Sequence, residues 1–581
     1  MKKSLYTSAA FVMLFSGIAN AQEKNKENIG TERVTLVSPY QASVNDAFKI
    51  KDLPSLDDED NNQKKPIKYT IFSFPVASTF APDKGEAATV DNDTLNRFYN
   101  NYAMLSYGNY GTFNGELGIV EKLDNNMYVG GILSHLSSSG GIKNIDLDDK
   151  YAKTGLDLTL GSKNTDNNWN LNFGVNRNQF NWYGLAKDEY NFSGINLADI
   201  DVKNEYTNIH AAGKFENNVG VFESVDVLYK YFWDKFDAKE NRFYIKPKFN
   251  IELENQTINV VLNADYLNTT FGTSAVNGNA DKYSFLGLSV EPSIRFDGDN
   301  YNIQLGAGVG SIIGKSNGDS ENTVLIYPKV KANIDLVKDI VIAYAGADGG
   351  FTQNSYADIS EVNPFIAPVF EIRPTRQLYD LYAGLKGKLY HNASYNIRLS
   401  YKSEEDKMMF VSNPMNYALS NREGYQYGNS FKTTYDLVNT FSAFGEINLD
   451  FSENVTIAFS GEYNKYKMDV LGEAYNLPDA RIGGKIHIDF NKQWFAGTQI
   501  YYVGQRFDLS GFSNNGVDFV NNTIELKSYA DVNAYVGYRP TDKWTAFIKG
   551  NNLFDQKYQQ WKSYQVQGIQ VMLGAMYKFD F

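Results

Sequence analysis

The last sixteen residues of the chain, 566–581, alternate between apolar and mixed side chains up to the terminal carboxylate. The apolar set is Ile569, Val571, Leu573, Ala575, Tyr577, Phe579 and Phe581. This period of two predicts a β-strand with one apolar face, and at a sheet edge in water such a strand would pair with other chains. A transmembrane β-barrel requires the same pattern, because one face of each strand meets lipid and the other meets water. The sequence therefore predicts an antiparallel barrel that this strand closes.

The composition excludes several classes of function. The 581 residues carry a formal charge of −13, which argues against a nucleic-acid partner because phosphate binding needs basic surfaces. The chain has no Cys, which excludes disulfides, thiolate nucleophiles, a lipid-anchored cysteine and Cys-ligated zinc. Hydrophobic residues make up 43% of the sequence, too many for a generally disordered protein.

The first 21 residues have the features of a secretory signal peptide. Lys2 and Lys3 precede an apolar run at 9–18, and the small-residue sequence Ala-Asn-Ala follows at 19–21. That run is too short to cross a bilayer as a helix, and no other stretch approaches about 20 apolar residues. We therefore expect an exported protein that enters its membrane with strands, since closed barrels are the other way to satisfy backbone groups in lipid.

Residues 22–94 differ from the rest of the chain. They show little alternation and contain five prolines and the acidic run Asp57-Asp58-Glu59-Asp60. A short alternating stretch at 68–74 is the one candidate strand. We interpret 22–94 as an extended N-terminal segment with little core of its own, and 95–581 as the barrel.

Ten short polar turns divide the barrel sequence. They lie at 124–126, 166–168, 216–218, 254–255, 297–299, 338–339, 391–392, 452–454, 491–493 and 541–543. Each interval between them has room for two strands and a longer loop, so ten turns predict about 22 strands and eleven loops. Short turns on the periplasmic side and longer extracellular loops are typical of outer-membrane barrels. A barrel of this width either holds a plug or leaves a channel.

The pattern of individual strands supports a barrel with lipid on one face of the wall and water on the other. At 257–266 the apolar even positions alternate with polar odd ones, except at Val261, and at 326–336 the charged residues share one face. Trp169, Trp494 and Trp544 each come directly after a short turn, where an aromatic girdle is expected. Pro247, Pro292 and Pro328 are expected near a strand end or a bulge, where strands enter the membrane band, since proline removes a ladder hydrogen bond.

The C-terminal sequence resembles that of TonB-dependent receptors. The resemblance is carried by Asn552-Leu553-Phe554-Asp555 with Tyr558 shortly after it, a final strand ending in Phe581, Asn363-Pro364-Phe365 in a long loop, and the strand count. It covers about 101–581. It implies an integral protein of the outer membrane of a Gram-negative bacterium that binds or transports a solute. Lipid and the barrel-assembly machinery are then expected partners, with Tyr577, Phe579 and Phe581 as the assembly signal.

The sequence departs from that family at its N-terminus. A full plug domain does not fit between the signal peptide and the first strand, and 22–94 has no plug-like pattern. Val34, Thr35, Leu36 and Val37 resemble the short segment that pairs with TonB as an added strand. The alternative to a receptor is therefore a plugless barrel that serves as a structural or assembly partner, for instance of a surface lipoprotein.

No catalytic, cofactor or metal site is predicted, and we expect a protein that is not an enzyme. The four histidines, His135, His210, His391 and His487, have no metal-ligand spacing. Ser134 and His135 are adjacent on a strand, so their side chains point to opposite faces. The acidic group Asp146, Asp148 and Asp149 could hold calcium or be a solvated loop. The long loops at 188–205, 353–376 and 403–430 are the predicted ligand-facing surface.

Overall fold

A computed structural model describes residues 100–581 except 124–125, 254–255, 273–279, 339, 391, 417–420 and 515–517. The predicted signal peptide, the N-terminal segment 22–94 and the TonB-like residues Val34–Val37 lie outside the described residues. Within the described part, no helix is long and apolar enough to cross a membrane.

The described chain is a closed antiparallel β-barrel of 22 strands, which confirms the predicted fold. The first half of the barrel consists of β1 (Asn101–Gly108), β2 (Phe113–Lys122), β3 (Met127–Ser138), β4 (Tyr151–Lys163), β5 (Asn167–Asn181), β6 (Lys203–Asn217), β7 (Phe222–Asp234), β8 (Lys239–Leu253), β9 (Gln256–Thr270), β10 (Lys282–Gly298) and β11 (Tyr301–Ser316). The second half consists of β12 (Asp319–Val337), β13 (Val341–Thr352), β14 (Thr375–Tyr390), β15 (Ala393–Ser412), β16 (Phe431–Ser452), β17 (Val455–Met468), β18 (Ala480–Asp489), β19 (Trp494–Val503), β22 (Tyr529–Tyr538), β23 (Trp544–Asn551) and β26 (Gln570–Phe579).

Four further strands and one α-helix lie in the loops. Strands β20 (Arg506–Asn514) and β21 (Asp518–Leu526) form one hairpin, and β24 (Gln559–Trp561) and β25 (Tyr564–Gln565) form another. The helix α1 spans Tyr356–Val362, and 3-10 turns occur at Asn109–Gly111 and Leu197–Asp199. These elements lie outside the barrel ladder, and their sequences do not distinguish them from the loops that contain them.

The C-terminal strand closes the barrel as predicted. β26 pairs with β23 on one side and with β1 on the other, where Asn101 is opposite Phe579 and Gly108 is opposite Met572. Its two faces differ as the alternation requires: Leu573 is 63% exposed on the outer surface, whereas Met576 is 6% exposed. Phe581 follows the last ladder pair and is exposed.

The ten short turns all occur at or directly beside the predicted positions. We call the end of the barrel that carries them the turn end, and the opposite end the loop end. Three of the eleven connections at the loop end, 109–112, 235–238 and 317–318, are as short as the turns. The expectation of a longer loop in every interval was therefore wrong at these three places.

The side chains of the wall alternate between lipid and lumen. On β12, Val324 and Ile326 are exposed on the outer face, while Lys329 forms ion pairs with carboxylates of neighbouring strands inside the barrel. Trp494 and Trp544 are the first residues of β19 and β23 and are about half exposed on the outside. The predicted aromatic girdle therefore lies at the turn end.

The three prolines do not lie at strand ends, which was one of the two expected places. Pro247, Pro292 and Pro328 lie in the interiors of β8, β10 and β12. Each is placed where the ladder on one side is interrupted: β8 loses its pairing with β9 at 246–247, β10 with β11 at 291–292, and β12 meets β13 only from Lys329 onward. Proline, which has no N–H, is tolerated there because no carbonyl of the neighbouring strand needs a donor at that position.

Candidate functional site

Five long connections at the loop end pack together against the inner wall, and we call this assembly the lid. Its segments are 182–202, 353–374, the described residues of 413–430 and of 504–528, and 552–569. The first three correspond to the predicted ligand-facing loops, although residues 203–205, 375–376 and 403–412 belong to strands. The last two were not predicted, because neither has a composition that separates it from an ordinary turn.

The lid shares one aromatic core with the barrel wall. Its members are Trp182, Tyr183, Tyr356, Phe365, Phe370, Tyr425, Trp561 and Tyr564 from the loops and Tyr206, Phe232, Leu267, Phe285, Ile312, Phe410 and Phe431 from the strands. These wall residues alternate with outward-facing neighbours, so the core lies inside the barrel and not on its outer surface. Apolar burial on this scale is the main force that holds the loops inward.

Phe365 and Tyr564 form the centre of the core. Their rings stack with centroids 3.6 Å apart, and Tyr183 packs edge-on against both. The Tyr564 hydroxyl donates to the carbonyl of Asn429 at 2.5 Å. Residues from four separate loops therefore meet at one point, and Phe365 is the aromatic residue of the Asn-Pro-Phe sequence identified above.

Polar side chains satisfy the backbone groups that the loops bury. The Trp182 indole donates to the carbonyl of Phe365 at 3.2 Å, and the Tyr206 hydroxyl donates to that of Pro364 at 3.0 Å. Asn429, which is 1% exposed, donates to the carbonyl of Trp182 at 2.7 Å. Since a buried carbonyl without a donor costs free energy, these contacts fix the loop conformations.

Helix α1 is anchored to the wall at its first turn. The carboxylate of Glu240 on β8 accepts hydrogen bonds from the backbone N–H groups of Tyr356 (2.6 Å) and Ala357 (3.1 Å) and from the hydroxyl of Thr269 (2.7 Å). The Ser355 side chain caps the same turn through Asp358 N. A carboxylate at this position suits the free N–H groups and positive end of a helix.

Asp358 joins the helix to two basic residues of the wall. Lys230 Nζ lies 2.8 Å from one carboxylate oxygen and an Arg242 guanidinium nitrogen lies 2.8 Å from the other. Arg242 also binds Asp265 of β9 with two nitrogens, at 2.7 and 2.9 Å. Burial alone would raise the pKa of Asp358, but the positive charges of Lys230 and Arg242 outweigh it and lower that pKa below its usual value. The helix is thus held by charge as well as by packing.

Two more ionic and polar contacts cross-link the lid. Lys562, in the turn between β24 and β25, lies 2.7 Å from Glu189 of the first lid segment, and both side chains are largely buried. Arg506 at the start of β20 donates to the backbone carbonyls of Gln559 and Gln560. Every lid segment is therefore tied to another one by at least one side chain.

The Asn-Leu-Phe-Asp sequence has a structural role at the end of β23. Asn552 is 1% exposed, and its side chain donates to the carbonyls of Gln556 (3.0 Å) and Gln567 (2.9 Å). Tyr558 stacks on Tyr529 with centroids 3.8 Å apart and donates to Asp531. The motif therefore fixes the connection that leads to β24 and the closing strand.

The other residues that the sequence singled out do not converge. Asp149 accepts the N–H groups of Gly141 and Ile142 within the 139–150 connection, while Asp146 and Asp148 pair separately with lysines. His210 and His487 face the lumen on different strands, and His391 lies outside the described residues. In the part of the chain that the structure describes, no three His, Asp or Glu residues are grouped as metal ligands.

Solved structures of known proteins have the same barrel. The ferripyoverdine receptor of the outer membrane of Pseudomonas aeruginosa matches with a TM-score of 0.61 and 13% identity over 83% of this chain and 72% of that chain. The FrpB iron transporter of Neisseria meningitidis gives 0.60 and 12% over 84% and 83%. The ferric-catecholate import receptor Fiu of Escherichia coli K12 gives 0.59 and 11% over 83% and 82%. No protein-family model and no curated protein matches the sequence.

These neighbours are TonB-dependent receptors, so the fold expected from the C-terminal resemblance is confirmed. With its apolar outer face, the chain has the architecture of an integral outer-membrane barrel. At identities of 11 to 13% the likeness extends to the fold and leaves the solute open.

Proposed function

We propose that this protein is an outer-membrane transport barrel whose loop end binds a solute on the cell exterior and admits it to the lumen. The observation that carries the proposal is the lid: loops distant in sequence are held inward by a few identifiable side chains, among them Tyr564 and Asp358. A barrel that served only as a scaffold would have no need for such an assembly in its mouth. The neighbours' names concern iron import, which supports the transport class and not a particular solute.

The lid offers suitable chemistry for ligand recognition. Its aromatic rings provide flat apolar surface, and its backbone carbonyls and carboxylates provide acceptors that a ligand could compete for. Because the contacts between Asp358 and the wall are ionic and few, a ligand that binds the outer side of the loops could shift the lid between two arrangements. Transport would then depend on selection by side chains and not on bond chemistry.

Electrical recording in planar bilayers tests this proposal. Tyr564→Ala removes the stack on Phe365 and the hydrogen bond to Asn429, which for a buried aromatic residue costs about 3–5 kcal/mol. We expect the variant to open more often and to conduct more than the wild type. Tyr266→Ala is the matched control, because Tyr266 lies on the lipid face and is 40% exposed.

Two results would count against transport through the lid. One is a Tyr564→Ala barrel that stays silent although hydrogen exchange shows its loops released. The other is a sealed barrel that purifies from native membranes with fixed protein partners, which would favour the assembly role.

Engagement of TonB through Val34, Thr35, Leu36 and Val37 is a separate part of the proposal. Leu36→Pro should abolish capture of the mature protein by the TonB C-terminal domain, because proline prevents strand addition.

A further inference from the structure

Three luminal lysines below the lid have no ion-pair partner among the described residues. Lys246 and Lys248 lie on β8, and Lys331 lies on β12. Strand register places them inside the barrel: Lys246 is opposite Asp226, and Lys331 is opposite Gln304 and Gly346. All three positions are well below the loop end: Lys246 and Lys248 lie in the middle third of β8, and Lys331 lies nearer the turn end of β12. We call the wall that they enclose, from β8 to β12, the lysine recess.

The centre of the recess is formed by a stretch of β11 whose lumen-facing positions are glycines. Gly306 and Gly308 on β11 face the lumen, and an added Cβ at Gly308 would lie 2.0 Å from the Tyr327 ring. The ring therefore lies flat along the wall, and its hydroxyl donates to Glu291 at 2.8 Å. At about 4.8 Å per strand spacing, the four spacings from β8 to β12 give a patch about 19 Å wide.

The acidic residues of the recess leave its positive charge partly uncompensated. Glu291 and Asp348 both pair with Lys329, at 3.4 and 2.8 Å. Asp226 is opposite Lys246 without forming an ion pair within 4 Å. A net positive charge on a low-dielectric wall raises the local concentration of anions. The recess is therefore a place where an anion in the lumen would be retained.

Neutral polar groups in the same wall have unused hydrogen-bonding capacity. The side-chain oxygens of Asn250 and Asn263 are buried and have no partner in the described structure. Either end of a carboxamide can be turned toward a ligand. An anion bound by the lysines could receive further hydrogen bonds from these groups.

We propose that the lysine recess binds a small polyanionic solute, with two or three carboxylate, phosphate or sulfonate groups, on its way through the lumen. The spacing of the lysines over several strands favours an anion with separated charges over a single chloride. The inference deepens the proposed function and rests on it for the transport step, whereas binding to the recess can be measured without transport.

The experiment uses the purified mature protein in detergent and the fluorescent trisulfonate 8-hydroxypyrene-1,3,6-trisulfonate as the probe. Fluorescence anisotropy reports binding. We expect salt-sensitive binding that weakens at least ~10-fold in the K246Q/K248Q/K331Q variant, because three charge-assisted contacts are lost. The matched control is K143Q/K527Q/K557Q, which removes the same charge from exposed loop positions and should bind the probe as the wild type does.

A further variant separates the proposal from an internal occupant. In D57N/D58N/E59Q/D60N the acidic run of the N-terminal segment is neutral. Binding that appears only in this variant would overturn the proposal, because the recess would then belong to the chain's own acidic run. Absence of binding in every variant, or equal loss in both lysine triples, would also overturn it. Probe binding without conductance in the lid experiment would leave the recess intact and contradict only the transport step.

Discussion

At the scale of single residues, the lid is held by carboxylates and bases of the barrel wall. Glu240, Lys230 and Arg242 lie on strands that the wall fixes through its ladders, and each reaches a group in helix α1. A rigid strand holds a side chain in one position more precisely than a loop can. Loosening the helix therefore requires changing only one wall residue.

Glu240→Ala should release the first turn of helix α1. The substitution leaves the N–H groups of Tyr356 and Ala357 and the Thr269 hydroxyl without their acceptor, which costs about 1–3 kcal/mol. We expect faster hydrogen exchange in 353–374, measured by mass spectrometry, with an unchanged barrel. Glu321→Ala, at an exposed position of β12, is the control. Unchanged exchange in 353–374 would mean that packing and the Asp358 ion pairs hold the helix without Glu240.

Asp358 gives the lid a dependence on pH whose direction follows from its pKa. Because that pKa is lowered in the folded protein, the carboxylate stabilises the lid fully above its ordinary pKa of about 4, and the stabilisation is lost as pH falls below that value. Hydrogen exchange of 353–374, corrected for intrinsic rates, should show wild type more protected than Asp358→Asn by a constant amount from pH 7 to pH 5. The difference should shrink at lower pH.

Asp188→Asn, at an exposed lid position, is the control and should behave as wild type throughout. A difference in exchange between wild type and Asp358→Asn that grows toward low pH would contradict the assignment.

At the scale of elements, strands and turns were predictable because their signals are local. Lipid on one face and water on the other impose a period of two on every strand, and the ten short turns interrupt that period with polar residues.

The lid was only partly predictable, because its contacts join distant parts of the chain. Trp182 and Phe365, for example, are 183 residues apart in the sequence. The hairpins β20–β21 and β24–β25 were missed for a related reason: all four strands pair outside the barrel, and β24 and β25 are also very short. Which of the two expected places the prolines take was not predictable, because a one-sided interruption of a ladder leaves no mark in the sequence.

Adjacent positions on β11 test the assignment of the two faces. Leu305 is 48% exposed on the outer surface, whereas Gln304 faces the lumen and donates to Ser293. Leu305→Arg should destabilise the barrel by about 2–4 kcal/mol if the position is near mid-membrane, and Gln304→Glu, which places a charge opposite Lys331 in the lumen, should be close to neutral. Urea titration of folding into liposomes measures both. Equal costs would show that the two faces do not meet different solvents.

At the scale of the whole molecule, one pairing decides whether the sheet is a barrel. Asn100, just before β1, and Asp580, just after β26, are 480 residues apart in the sequence. The backbone N–H of Asn100 nevertheless donates to the Asp580 carboxylate at 2.8 Å, beside the ladder that closes the barrel. Closure removes both sheet edges, which in lipid would leave a row of unpaired backbone groups. The strand synthesised last must therefore find the first, and its C-terminal residues are well placed to be recognised during that step.

Removal of Phe581 should separate assembly from stability. Phe581 is 85% exposed and lies beyond the last ladder pair, so the folded barrel should lose no more than about 0.5 kcal/mol, as is usual for surface positions. If Tyr577, Phe579 and Phe581 form a signal for the assembly machinery, the folded fraction in cell membranes should nevertheless fall, as measured by the heat-dependent shift in electrophoretic mobility. The same protein refolded in detergent should match wild type.

Phe451→Ala is the control for this prediction. It removes another exposed aromatic residue at the turn end and should assemble normally. A parallel loss in cells and in detergent would assign Phe581 to the stability of the barrel, and no loss in either would remove it from the signal.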